Sequence, residues 1–157
     1  DASKTLKKLA KEGWTVGELF AAFNAWKSGN EQEIKGDCIE LSKRVSNILN
    51  DIGVPRHLLG YMYVRKAIVL VTEKRSYIKK TTTELYPIVA KEFATTAPRV
   101  ERAIRNAIEL AWERGNLDAI NKYFGNTVSY NKGRPTNSEF MAMIADILNL
   151  EGYGAEQ

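Results

Sequence analysis

Apolar residues recur at intervals of three and four along most of this chain, the spacing that lines one face of an α-helix. Cys38, Leu41, Val45, Ile48 and Ile52 follow that rhythm, and Gly53 with Pro55 supplies a stop. In "RHLLGYMYVRKAIVLVTEK" the run Val69, Leu70, Val71 has the composition of a strand. Tyr61, Val64, Ile68 and Val71 nevertheless keep helical intervals over a longer span, so the spacing predicts a helix. A shorter helix is expected from about Thr83 to Phe93, with Leu85, Ile88, Val89 and Phe93 inward. Pro87 falls near its start, where a missing amide hydrogen costs little. After a turn at "FATTAP" comes the longest amphipathic stretch, which begins at Ala97 and Pro98 with Thr96 or Ala97 as its cap. Gly115 ends it, a short helix from Leu117 to Phe124 follows, and Thr136 with Glu139 forms a capping box that starts a last helix. Phe140, Ile144, Ile147 and Leu148 lie on the inner face of that helix. Nearly every segment is helical, so the predicted class is all-α.

The first part of the chain divides at "KSGNEQE", Lys27 to Glu33, which has the composition of a loop or linker. Ahead of it, Thr15 and Glu18 make a capping box and Trp14 with Leu19 a hydrophobic staple. Val16, Leu19, Phe20, Phe23 and Trp26 then form a bulky stripe that must be covered by this chain, a second copy or a partner. Residues 1–35 are thus expected to be a helical extension, and residues 36–157 the main domain.

A short helix, a tight turn and a longer helix are the outline of a helix-turn-helix unit, although the turn lacks the usual glycine. On a helical wheel the second helix places Val100, Ala103, Ile104, Ala107, Leu110 and Ala111 inward. Arg99, Glu101, Arg102, Arg105, Asn106 and Glu109 fill the other side. In such units the first turns of the second helix meet base edges in the major groove. Arg102 and Arg105 suit paired hydrogen bonds to guanine, Asn106 to adenine, and Glu101 accepts from a cytosine amino group. Arg99 suits phosphates, as do Lys91, Lys132 and Arg134. The competing reading is a solvated face, because Glu101 and Arg105 are four apart in the orientation of a helical ion pair.

Charge is consistent with DNA as a partner. The net charge is +4 with a pI near 9.1, and no acidic residue occurs between Asp118 and Glu139. The one cysteine, Cys38, cannot form an internal disulfide and is expected to be a small buried hydrophobe. No apolar run approaches the roughly 18 residues of a membrane span, and a cytoplasmic location is expected. Enzyme readings find little support: one histidine, His57, leaves no His-paired nucleophile and no multi-histidine metal site, and no phosphate-cradling glycine loop occurs. No cofactor or metal is expected, and a structural capping or hydrogen-bonding role is expected for His57.

From about Val45 to Glu151 the chain resembles the DNA-binding effector domain of the stage-zero sporulation protein A family of response regulators. The matching stretches are "IGVPRHLLGYMYVRKAI", "LYPIVAKEF", "TTAPRVERAIRNAIELAWERGN", "FGNTV" and "PTNSEFMAMIAD". The resemblance implies a six-helix domain with a helix-turn-helix that binds tandem copies of a short promoter box, with two copies of the protein on DNA. It carries recognition roles to Glu101, Arg102 and Arg105. It also implies contact with the sigma factor of RNA polymerase through the region from Gly115 to Val128, including Phe124, and either activation or repression. Asn106 stands where the family usually has histidine, and Pro98 where it has serine. Residues 1 to 35 show neither the buried strands nor the acidic pocket of a receiver domain. Two readings stay open: a regulator whose receiver is not in this chain, or a receiver-less paralogue that acts as a protein-interaction module or antagonist with weak or no DNA binding.

Overall fold

A computed structural model describes residues 7–8, 10–27, 31–125 and 133–154, with the side chains of 22–27 and 31–38 left outside that description. The described residues form helices and connecting turns with no strand: α1 (Val16–Lys27), α2 (Glu31–Ile52), α3 (Leu59–Glu73), α4 (Tyr86–Glu92), α5 (Ala97–Arg114), α6 (Leu117–Phe124) and α7 (Asn137–Leu150). The all-α class expected from the spacing is the one observed. The segment around Val69 to Val71 is helical, and Tyr61, Val64, Ile68 and Val71 are all buried in it.

Helix α3 is central, because it packs against α2, α4, α5 and α7. That position explains its composition: a helix surrounded by others is apolar on most sides, so its sequence carries a strand-like run without being a strand. Leu41, Val45, Ile48 and Ile52 of α2 meet it from one side, and Phe140, Ile144 and Leu148 of α7 from another, all of them buried. Ile147, expected inside, is only half-buried. Trp112, Phe124 and Phe140 form an aromatic group, with Phe124 stacked on Phe140 at 5.5 Å and Trp112 edge-on to both.

Three local expectations need correction. Lys27 to Glu33 is not all loop, since α2 is already helical at Glu31. The helix expected from Thr83 is instead a wide π-type turn over Thr81–Leu85, in which the Tyr86 amide reaches back to the Thr81 carbonyl, followed by α4. Pro87 has no amide hydrogen for the fourth carbonyl before it, so the α-helical ladder cannot run continuously through this point. Finally, His57 is exposed in the turn before α3 and makes no hydrogen bond among the described residues, so it does not serve as the expected cap.

The turn between α4 and α5 works without glycine. Ala94 takes a left-handed conformation with φ 52°. The Thr95 amide donates to the Ala90 carbonyl at 2.9 Å and the Ala94 amide to Lys91 at 3.4 Å, the double closure of a Schellman motif. Tyr63 of α3 meets Phe93 of the turn edge-on at 4.9 Å, which anchors the bend to the core. A Cβ in the left-handed region costs about 1 kcal/mol, so Ala94→Gly is expected to raise stability by about 0.5–1 kcal/mol, read as a higher midpoint of urea unfolding with unchanged slope.

At the N-terminal side the capping box forms in both directions: Thr15 Oγ1 accepts from the Glu18 amide, and a Glu18 carboxylate oxygen accepts from the Thr15 amide, both at 3.0 Å. The cap is joined to the main domain. Thr15 Oγ1 donates to Glu92 at the end of α4 at 2.7 Å, and Lys66 of α3 lies 3.6 Å from Glu18 and 3.4 Å from Glu92. Arg65 donates to the Gly13 carbonyl at 2.8 Å. The three charged side chains of this cluster are only 13–16% exposed, so Lys66 is what allows two carboxylates to sit together. Lys66→Met is expected to destabilise by about 2 kcal/mol, because it leaves two anions facing each other in a poorly solvated place. Earlier proteolysis within α1, ahead of global unfolding, is the accompanying readout.

Candidate nucleic-acid interface

Helix α5 is presented by its packing. Val100, Ile104, Ala107, Ile108 and Ala111 are buried, while Arg99, Arg102, Arg105 and Asn106 are exposed on the opposite side. The inner face was legible in the sequence apart from Ile108, which is buried, and Ala103 and Leu110, which are only half-buried. Thr96 caps the helix in an extended conformation, its carbonyl accepting from the Val100 amide at 3.0 Å, and Pro98 fills the first turn.

The small inner residues have a definite function in the packing. Gly60, in the first turn of α3, lies against the backbone of α5: a Cβ there would overlap the Ala103 carbonyl oxygen and stand 2.9 Å from the Ala107 Cβ. Close approach of these two helices sets how far α5 projects from the core. At its other end, Gly115 lies against α2, where a Cβ would overlap the Ile52 carbonyl, and the Asn116 amide donates to that same carbonyl at 3.1 Å. Asn116 then caps α6, accepting from the Asp118 and Ala119 amides at 3.0 and 3.3 Å.

Two shallow grooves run along the sides of α5. One is bordered by Leu59, Tyr63 and Thr95 on the α3 side, the other by Thr82, Tyr86, Pro135 and Ser138 on the α7 side; Arg105 and Arg134 border both. Glu101 pairs with Arg105 at 3.5 Å, with side chains 37% and 48% exposed. Such a pair contributes about 0.3–0.5 kcal/mol, so the ion pair expected from spacing is present and is also weak enough to open for a base edge. Arg99 and Arg102 have no ion pair among the described residues.

Of the other expected site residues, Lys91 is exposed at the end of α4. Arg134 is exposed but engaged with Glu109 at 2.6 Å, so its charge is partly neutralised. Lys132 and Val128 lie outside the described residues. Phe124 corrects the expectation placed on it as a contact residue, since at 2% exposure its ring belongs to the aromatic group of the core. Among the described residues of this region, Leu117, 70% exposed at the start of α6, is the apolar side chain that is presented. Gly115 owes its identity to the close approach of the Ala111 and Ile52 carbonyls, both of which a Cβ would overlap.

Sequence reasoning did not single out Tyr86 and Asn137. Asn137, the first residue of α7, donates through Nδ2 to the Glu101 carbonyl at 3.1 Å and to Tyr86 Oη at 3.2 Å. Burial pushes the Tyr86 phenol up from its ordinary value, against the lowering effect of the Asn137 hydrogen bond and with help from the Glu101 charge. The group is therefore a neutral hydroxyl at physiological pH. Only "PTNSEF" as a stretch hinted that residue 137 matters, and nothing in the spacing paired it with α5.

A helix-turn-helix in an all-α domain, with arginines exposed on the first turns of its second helix, defines a class of DNA-binding regulatory domain. Residues 45–148 match the family model described as the sporulation initiation factor Spo0A C terminal, and the chain belongs to this family. That match covers α2 from Val45 to Leu148 near the end of α7, including every described residue of the interface. The family is one of DNA-binding regulatory domains and not of enzymes. Among the described residues no helix is long and apolar enough to cross a membrane, and no cluster of metal-ligating side chains occurs.

Proposed function

We propose that this chain is a sequence-specific transcription regulator that lays α5 in the major groove of promoter DNA. The observation that carries this reading is the exposure of Arg102 and Arg105 on a helix whose inner side packs closely on α3 at Gly60. Glu101, Arg102, Arg105 and Asn106 read bases; Arg99, Lys91, Lys132 and Arg134 hold phosphates on either side. The pairing of Arg134 with Glu109, which partly neutralises its charge, makes it the weakest of these phosphate contacts. Two copies bind tandem boxes in the cytoplasm, and the region from Gly115 to Val128 faces the sigma factor, with Leu117 as its exposed apolar contact.

The test is fluorescence anisotropy against a duplex carrying the family's promoter box and against a scrambled duplex, each at two salt concentrations. Selective binding by about a thousandfold or more is expected of specific recognition. Equal binding to both duplexes, steeply weakened by salt, would reduce the role of α5 to phosphate contact.

A second reading has one observation in its favour. Val16 is 81% exposed and Phe20 66% exposed on α1, so the bulky N-terminal stripe is not fully covered within the chain. As an interaction module the protein would use that face and bind DNA weakly or not at all. The absence of binding to either duplex, with no effect of changes at Arg102, is its signature.

A further inference from the structure

We infer that Asn137 is a positioning residue for DNA recognition, through which the C-terminal helix α7 sets the angle of the recognition helix α5. The inference rests on the DNA-reading assignment made above. Its starting point is a single amide group of α7 that reaches two other helices. Asn137 belongs to α7, its Nδ2 donates to a main-chain carbonyl of α5 at 3.1 Å, and the same nitrogen donates to Tyr86 Oη of α4 at 3.2 Å. A main-chain carbonyl only accepts, so the atom facing Glu101 must be the amide nitrogen and not its oxygen. Both of its N–H groups are then used, one on each helix of the helix-turn-helix.

The place where Asn137 meets α5 gives the contact its consequence. Within α5 the Glu101 carbonyl is already the acceptor for the Arg105 amide, by the regular pattern of the helix. Asn137 therefore holds the very turn from which Glu101, Arg102 and Arg105 project. The following turns are held from the α3 side, where Ala103 and Ala107 rest on Gly60. Steric contact with glycine limits how near α5 comes to the core but does not oppose rocking away from it. The Asn137 bonds supply that opposing hold, since they are directional and lie on the side of α7. Paired hydrogen bonds to a base demand donors placed to within about 0.5 Å and 10–20°, so a small rock of α5 removes discrimination between bases. Phosphate contacts by flexible lysines and arginines tolerate the same rock.

Asn137 itself is firmly placed. Pro135, two residues before it, is buried, and Thr136 Oγ1 accepts from the Glu139 amide at 3.2 Å to fix the first turn of α7. Phe140, one turn on, is fully buried. The amide thus extends from a rigid base toward α5.

The experiment compares Asn137→Ala and the uncharged, nearly isosteric Asn137→Leu with the unaltered full chain, using the box duplex, the scrambled duplex and hydrogen exchange of the DNA-free protein. Both variants are expected to lose about five- to tenfold in affinity for the box duplex, the equivalent of one hydrogen bond. Binding to the scrambled duplex and the salt dependence should stay unchanged. In the free protein, amide exchange from Arg102 to Glu109 should speed up by a similar factor, while that from Val64 to Val71 in α3 stays the same. Tyr86→Phe, which keeps the bond to Glu101, should retain most of the discrimination. Equal losses on both duplexes, or faster exchange throughout the core, would show a merely structural role and overturn the inference. Unchanged exchange in α5 would overturn it as well. Should the unaltered protein fail to distinguish the duplexes, the DNA-reading assignment fails, and the exchange measurement still decides whether Asn137 holds α5.

Discussion

Gly60→Ala is expected to destabilise the protein by about 3 kcal/mol, toward the upper end of what overpacking costs. The added methyl would overlap the carbonyl oxygen of Ala103 and crowd the Ala107 Cβ. A side chain in its way could rotate aside, but a carbonyl in mid-helix moves only with its helix. The strain is relieved by pushing α5 outward, which opens the buried contacts of Val100, Ile104 and Ala107. For a chain of this size the thermal midpoint should fall by roughly 6–12 °C. Preference for the box duplex should also fall at temperatures where the variant remains folded, because the displaced helix no longer carries its arginines at the right distance. Alanine is ordinarily a better helix former than glycine by about 1 kcal/mol, so an unchanged or raised midpoint would mean that α3 and α5 are not in such close contact.

The second large effect is on DNA. Arg102→Ala or Arg105→Ala should each cost about 1–3 kcal/mol in binding to the box duplex, a loss of roughly 5- to 150-fold. Binding to the scrambled duplex should fall far less. Lysine at either position should not restore the loss, because a point charge lacks the planar fork that spans two acceptors on guanine. Arg99→Ala should behave differently: a similar weakening on both duplexes and a salt dependence reduced by about one ion. Removing Arg105 also releases Glu101 from its pair at 3.5 Å. A double change of Glu101 and Arg105 to Ala that costs much less than the sum of the single changes would identify the two as one reading unit. If affinity for the box duplex is unaffected by any of these changes, the interaction reading based on the exposed Val16 and Phe20 gains its main support.

Elements whose signal is local are largely legible in residue spacing. The inner face of α5, the Thr15–Glu18 capping box, the helix from Leu117 to Phe124 and the Thr136 cap each depend on residues within a few positions of one another. Periodicity and capping chemistry are short-range properties, so they survive in one dimension. The failures are equally specific. Pro87 sits where spacing predicts a regular helix, but the missing amide breaks the turn before it. Ala94 takes a conformation that favours glycine, because Phe93 against Tyr63 and two closing hydrogen bonds hold the bend. Phe124, to which the resemblance gives a contact role, is instead stacked on Phe140 in the core.

The amino-acid order alone thus settled the helical class, the limits of most helices and the polar face of α5, together with the motifs that mark the family. Tertiary structure decided everything that depends on residues far apart in the chain: Gly60 against Ala103, Lys66 between Glu18 and Glu92, Asn137 across to Glu101 and Tyr86, and the burial of Phe124. The physical reason is that a helix's periodicity says which of its faces is buried but not what buries it. Close approach, charge pairing and hydrogen bonding between helices arise only once α3 has gathered the others around it.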